Sequence, residues 1–116
     1  MYFLNRSILI VKAKQPFIDW INSTTVPGDS SIITLDEVNR EPNVYLIPEY
    51  DSEAELNQLL PSAIECIWDA ELSGWCLDAS TWPKEQSMDA FHKWFDLMVG
   101  GMVHDLLEDP LVKEEL

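Results

Sequence analysis

Residues 41–116 carry seventeen acids against three bases (Lys84, Lys93, Lys113), whereas residues 1–40 balance four acids (Asp19, Asp29, Asp36, Glu37) with four bases (Arg6, Lys12, Lys14, Arg40). The net charge of -14 therefore comes entirely from the second part. Unpaired acids are almost never fully buried, so such a chain must keep its carboxylates outside and build its interior from what lies between them. A field of this sign repels phosphates and anionic lipid heads and attracts basic surfaces. The expected partner is a protein with a basic surface, not nucleic acid and not a membrane. Arg6, Lys12 and Lys14 do not make the continuous basic face that a nucleic-acid binder needs, so no binding to duplex DNA or RNA is expected.

The interior has ample material. Five Trp and four Phe contribute large side chains, and disordered acidic chains lack such aromatics. The length of 116 residues predicts one domain, residues 1–116, with a charged tail from about 108. Met1 to Ile10 holds one base and the beginning of a short apolar run, Ile8 to Val11, which falls short of an export signal or a membrane span. A cytoplasmic protein is the expectation. Cys66 and Cys76 stand ten positions apart, too far for a redox pair, and are expected as free, buried thiols.

The apolar run in residues 6–14 predicts a strand, buried at first and half exposed at its end. Pro16 suits the first turn of a helix with Phe17, Ile18, Trp20 and Ile21 on its apolar face. That helix is expected to stop in Asn22–Thr25, before a turn at Pro27-Gly28-Asp29-Ser30. Thr34 and Glu37 form a capping box for a short helix that Pro42 ends, and residues 43–47 read as a second strand closed by Pro48. Ser52 and Glu55 form another capping box, followed by Leu56, Leu60, Ile64, Ile67 and Leu72 at helical spacing up to Gly74. Pro61 predicts either a kink or a break there. Ser87 opens a last helix whose stripe, Met88, Phe91, Phe95, Met98, Met102 and Leu106, predicts a long central element with Phe95 in the core and Gly100-Gly101 in its middle. The class is thus α+β, dominated by helix, in the order β-α-α-β-α-α around a small sheet. A helical crossover would make the two strands parallel. Two strands are too few, so a third is expected at Ser31–Thr34 or Trp75–Leu77, or strand pairing in a homodimer.

The stretches KQPFIDW (14–20), YLIPEYD (45–51) and GWCLDASTWP (74–83), with AFHKWFD (90–96), resemble a family of small acidic bacterial proteins of uncharacterised function. The resemblance implies a bacterial, non-secreted, free-standing domain. It implies no activity, cofactor or site residue. Pro61 departs from the uninterrupted helix expected of that family.

Candidate sites are few. Asp89, His92 and Asp96 fall at helical spacing, with His104 and Glu108 further on, a pattern that could hold a divalent metal. A solvated helix face explains it more simply, and no metal or other cofactor is expected; His104 could equally meet the negative end of the helix dipole. Paired carboxylates abound: Glu49 with Asp51, Glu53 with Glu55, Glu65 with Asp69, Asp69 with Glu71. Acid–base work needs one member buried so that its proton affinity rises. Glu49 and Asp51, at a strand end, are the first pair to inspect. No nucleophile motif and no phosphate-binding loop is present. Trp75 and Trp82 lie in a loop, either capping the core or serving as partner anchors together with the acids Glu53 and Glu55. The leading expectation is a non-enzymatic acidic binding module. The alternative is a small metal-dependent or acid–base enzyme using Asp89, His92 and Asp96, or Glu49 and Asp51. A subunit of a larger assembly would show a large exposed apolar patch.

Overall fold

A computed structural model describes residues 1–24 and 32–116. In chain order they form β1 (Tyr2–Phe3), β2 (Arg6–Ala13), α1 (Gln15–Ser23), α2 (Leu35–Asn39), β3 (Asn43–Pro48), α3 (Glu53–Ser73), a 3-10 turn (Ala79–Thr81), α4 (Met88–Trp94), β4 (Phe95–Gly100) and β5 (His104–Asp105). The class is α+β. The turn expected at Pro27–Ser30, and Ser31 of one strand candidate, lie outside the described residues.

β2 is the centre of a three-stranded sheet, flanked by β3 and β4, and both pairings are antiparallel. The parallel crossover is thereby corrected. The cause is visible at Asn39, whose side chain accepts from Ala13 N–H at 2.8 Å and donates to Ala13 C=O at 3.0 Å. α1 and α2 return the chain to the end where β2 stopped, so β3 must run back along it. β2 itself alternates along its whole length: Ser7, Leu9, Val11 and Ala13 are buried, while Arg6, Ile8, Ile10 and Lys12 face the other way and are half-buried. The first half is not buried on both faces, because the helices cover only one side of the sheet.

The helix starts follow their caps. Glu37 N–H donates to Thr34 Oγ1 (3.3 Å), Glu55 N–H to Ser52 Oγ (3.2 Å) and Ala90 N–H to Ser87 Oγ (3.1 Å). α3 runs through Pro61 as one helix rather than two. Its buried residues Ile64, Ile67, Trp68, Glu71 and Leu72 make one stripe against the sheet.

The long final helix is the largest correction. α4 ends at Trp94, and Phe95–Gly100 becomes β4, an edge strand beside β2. The segment fits two periods at once. Phe95 and Met98 fit the helical stripe, but Phe95, Leu97 and Val99 also alternate with Asp96 and Met98. Pairing with β2 decides between them: it extends from Ala13↔Phe95 to Ile8↔Gly100, and Lys14 N–H donates to Trp94 C=O at 2.8 Å. Gly100 and Gly101 therefore do not interrupt a helix. Gly101 C=O accepts from the buried Ser7 hydroxyl at 3.1 Å. Trp75–Leu77 and Ile32–Thr34 are not strands; the additional strands are β4 and the β1–β5 pair.

The core is aromatic at its centre. Phe95 is 1% exposed and its ring lies 4.7 Å from Phe17, 4.9 Å from Phe91 and 5.5 Å from Trp68. Cys66 is exposed rather than buried, since it falls outside the α3 stripe; Cys76 is half-buried, and both are free thiols.

Candidate functional site

Glu71 is the one charged side chain buried among the described residues, at 6% exposure. It occupies the inward stripe of α3, between Trp68 and Leu72. Two residues of β3 reach it from the sheet. Asn43 Nδ2 donates to both carboxylate oxygens at 3.2 Å, and the Tyr45 hydroxyl donates to Oε1 at 3.0 Å. Strand alternation explains why: Asn43, Tyr45 and Ile47 share the inner face, and Asn43 stands opposite Val11 in the ladder.

These partners are neutral. Burial raises the proton affinity of Glu71 above the ordinary carboxylate value, against the opposing hydrogen bonds from Asn43 and Tyr45. Burial, and then the charge of Glu71, also push the Tyr45 phenol well above its usual range, so it stays a donor.

Glu71 lines a cavity of about 360 Å³. Its inner wall is apolar, from Val11, Ala13, Phe17 and Phe95. α2 and the turn into β3 close the other side with Val38, Asn39 and Pro42, and hold Glu37 and Glu41 at the exposed edge. Trp75, 43% exposed, completes the edge. The Asn39–Ala13 hydrogen bonds anchor this roof at the point where β3 no longer pairs with β2. A buried carboxylate in a cavity is the arrangement in which perturbed acids mark functional sites.

The candidates expected from spacing are scattered instead. Asp89 and His92 are exposed on α4, but Asp96 is on β4, where it meets Lys14 Nζ at 3.5 Å and stands opposite Lys12. The helical face uniting them does not exist, because the helix ends before Asp96. His104 is in β5, its ring 4.7 Å from that of Phe3, and so meets no helix end. Among the described residues, no group of three or more His, Cys, Asp or Glu is arranged to hold a metal ion. Glu49 is exposed beside a smaller hollow with Phe3 and Met102. Asp51 is exposed, and its N–H donates to Glu55 Oε2 at 2.8 Å. Glu53 and Glu55 are exposed in the first turn of α3. Trp82 is tied into its own loop through Nε1 to Cys76 C=O at 2.9 Å, while Trp75 stands at the cavity edge.

By spacing alone Glu71 reads as half of a surface pair with Asp69. The signal was available: Glu71 lies four residues after Ile67 and seven after Ile64, on the apolar side of the helix. Asp69 lies off that stripe and is exposed.

The outer face of the sheet is open. Val44, Leu46 and Met98 are exposed there, beside Ile8 and Ile10. No helix among the described residues is long and apolar enough to cross a membrane. Comparison with protein-family models, with curated proteins and with solved structures finds no match for this chain.

Proposed function

We propose that the protein is a non-enzymatic binding module that uses its acidic surface to engage a basic surface on a protein partner. The observation that carries this reading is the near absence of internal compensation. Among the described residues one ion pair forms, Lys14 to Asp96, while Glu53, Glu65, Asp69, Glu85 and Asp89 are all exposed without one. Uncompensated like charge works against the compact state, and a basic partner would relieve it.

Salt tests the reading. The Debye length falls from ~30 Å at 0.01 M to ~10 Å at 0.1 M, so partner capture should weaken as salt rises, mainly through a slower on-rate. Charge reversal at Glu53, Glu65 and Asp69 should weaken it too. Glu55 is a poor choice, because its carboxylate accepts from Asp51 N–H and its loss would loosen the start of α3. Capture equally strong at both salt levels, with silent reversals, would sink the reading.

Acid–base catalysis is the second reading, and Glu71 is what favours it, in place of Glu49, Asp51, Asp89, His92 and Asp96. Turnover of a small ester or amide that is lost in Glu71→Gln while substrate still binds would move this reading to first place.

A further inference from the structure

We propose that the cavity beside Glu71 receives a basic side chain, a lysine or an arginine, presented by a protein partner. The source of that side chain rests on the acidic-surface reading; its chemistry rests on the cavity alone. Three glutamates line the space, Glu37, Glu41 and Glu71, and no cationic side chain is among the described residues that line it. A carboxylate offers about four acceptor positions. Oε1 of Glu71 takes Asn43 and Tyr45, whereas Oε2 takes only Asn43. One acceptor position is left on a buried carboxylate whose partners are all neutral.

The remaining walls select what carries the charge. Val11, Ala13, Val38 and Phe95 are apolar and would lie along an aliphatic stem, as lysine and arginine stems do where their heads reach a polar group. Trp75 at the edge adds an aromatic face for a cation. The volume of about 360 Å³ is at the small end of ligand pockets, ~300–1,000 Å³, and suits one side chain better than a large cofactor. Anions are excluded by the three carboxylates. A purely apolar occupant would leave the Glu71 charge buried without a counterion, which is costly. Arginine suits the site best, because guanidinium is more weakly hydrated than ammonium and gives up less on entering.

The shared chemistry is an organic cation on an aliphatic stem, so the test uses three probes: butylguanidinium chloride, neutral butylurea, and a blocked Gly-Arg-Gly tripeptide. Amide shifts of Asn43, Glu71 and Trp75 are followed by NMR. Saturable shifts are expected with butylguanidinium and the tripeptide, none with butylurea, and a tenfold or greater weakening in Glu71→Gln. This variant removes a charge whose burial is unfavourable, so its fold should hold and lost binding cannot be ascribed to unfolding; Gln58→Ala, an uncharged exposed position of α3 outside the cavity lining, should bind the probes like the parent. No saturable shift, equal affinity for butylurea, or an unaffected Glu71→Gln would overturn the proposal. Tighter binding of the tripeptide than of butylguanidinium supports a protein source, and the reverse order overturns that assignment in favour of a free small cation. Salt-insensitive partner capture with probe binding intact would count against the acidic-surface reading alone.

Discussion

The two faces of the central sheet handle a carboxylate in opposite ways. On the outer face Asp96 is exposed and meets a cation, Lys14, at 3.5 Å in open solvent. On the inner side Glu71 is buried and meets only neutral donors, Asn43 and Tyr45. The outer arrangement is cheap and weak, because water screens both charges. The inner one retains an unfavourable charge on the wall of a cavity. A buried charge with only neutral partners is costly, and perturbed acids in cavities cluster at functional sites, so the difference between the faces points to the cavity as the place to look for function.

The sharpest way to break this comparison is to damage the inner face. Phe95→Ala should destabilise by ~3–5 kcal/mol, through lost burial and the cavity left among Phe17, Phe91 and Trp68. Urea denaturation reads this, and a nearly unchanged midpoint would mean that the inner face is not the core.

Asn39→Ala comes next. It strips the last residue of β2 of both side-chain partners and should cost ~1–3 kcal/mol, since a part-buried N–H and C=O lose their hydrogen bonds. Probe binding in the cavity should fall with it, because α2 forms the roof. A variant with stability intact would show that α2 is held by its apolar contacts instead.

Glu71→Gln sharpens the comparison by pH. Burial, against the hydrogen bonds of Asn43 and Tyr45, raises the folded-state value of Glu71 above 4.5. The native state then binds the proton more tightly than the unfolded chain, so wild-type stability from this group falls as pH rises through that window. The penalty is complete above the folded value and absent below the unfolded one. The glutamine variant should melt above the wild type at pH 8, with the gap closing toward pH 4. The other acids titrate in both proteins and cancel from the difference. A gap that is constant with pH would show that Glu71 is not desolvated.

Asp96→Asn, on the outer face, should have the smallest effect. An exposed ion pair is worth ~0–1 kcal/mol and less at high salt. A larger loss, or a melting temperature that depends on protein concentration, would show that the open face with Val44, Leu46 and Met98 is covered in solution.

Local chemistry made much of the fold legible. The three caps at Thr34, Ser52 and Ser87 start helices because a side-chain oxygen and a backbone N–H within the same turn settle the matter between them. The strands at residues 6–13 and 43–48 follow from β-branched runs bounded by turn formers or proline. The stripe of α3 outweighed Pro61, since the tertiary burial of Ile64, Ile67 and Trp68 exceeds the local cost of one missing N–H.

What the chain determined by itself was therefore its class, most element starts, its acidity and Phe95 as core. Tertiary structure alone decided the strand order, the fate of residues 95–100 and the site. The order of strands depends on where α1 and α2 deliver the chain, which no local pattern encodes. Residues 95–100 satisfy both periods, and only the free backbone edge of β2 made the extended form the better one. Glu71 reads like any other acid until α3 is laid against β3, because burial is a property of the pair of surfaces and not of the residue.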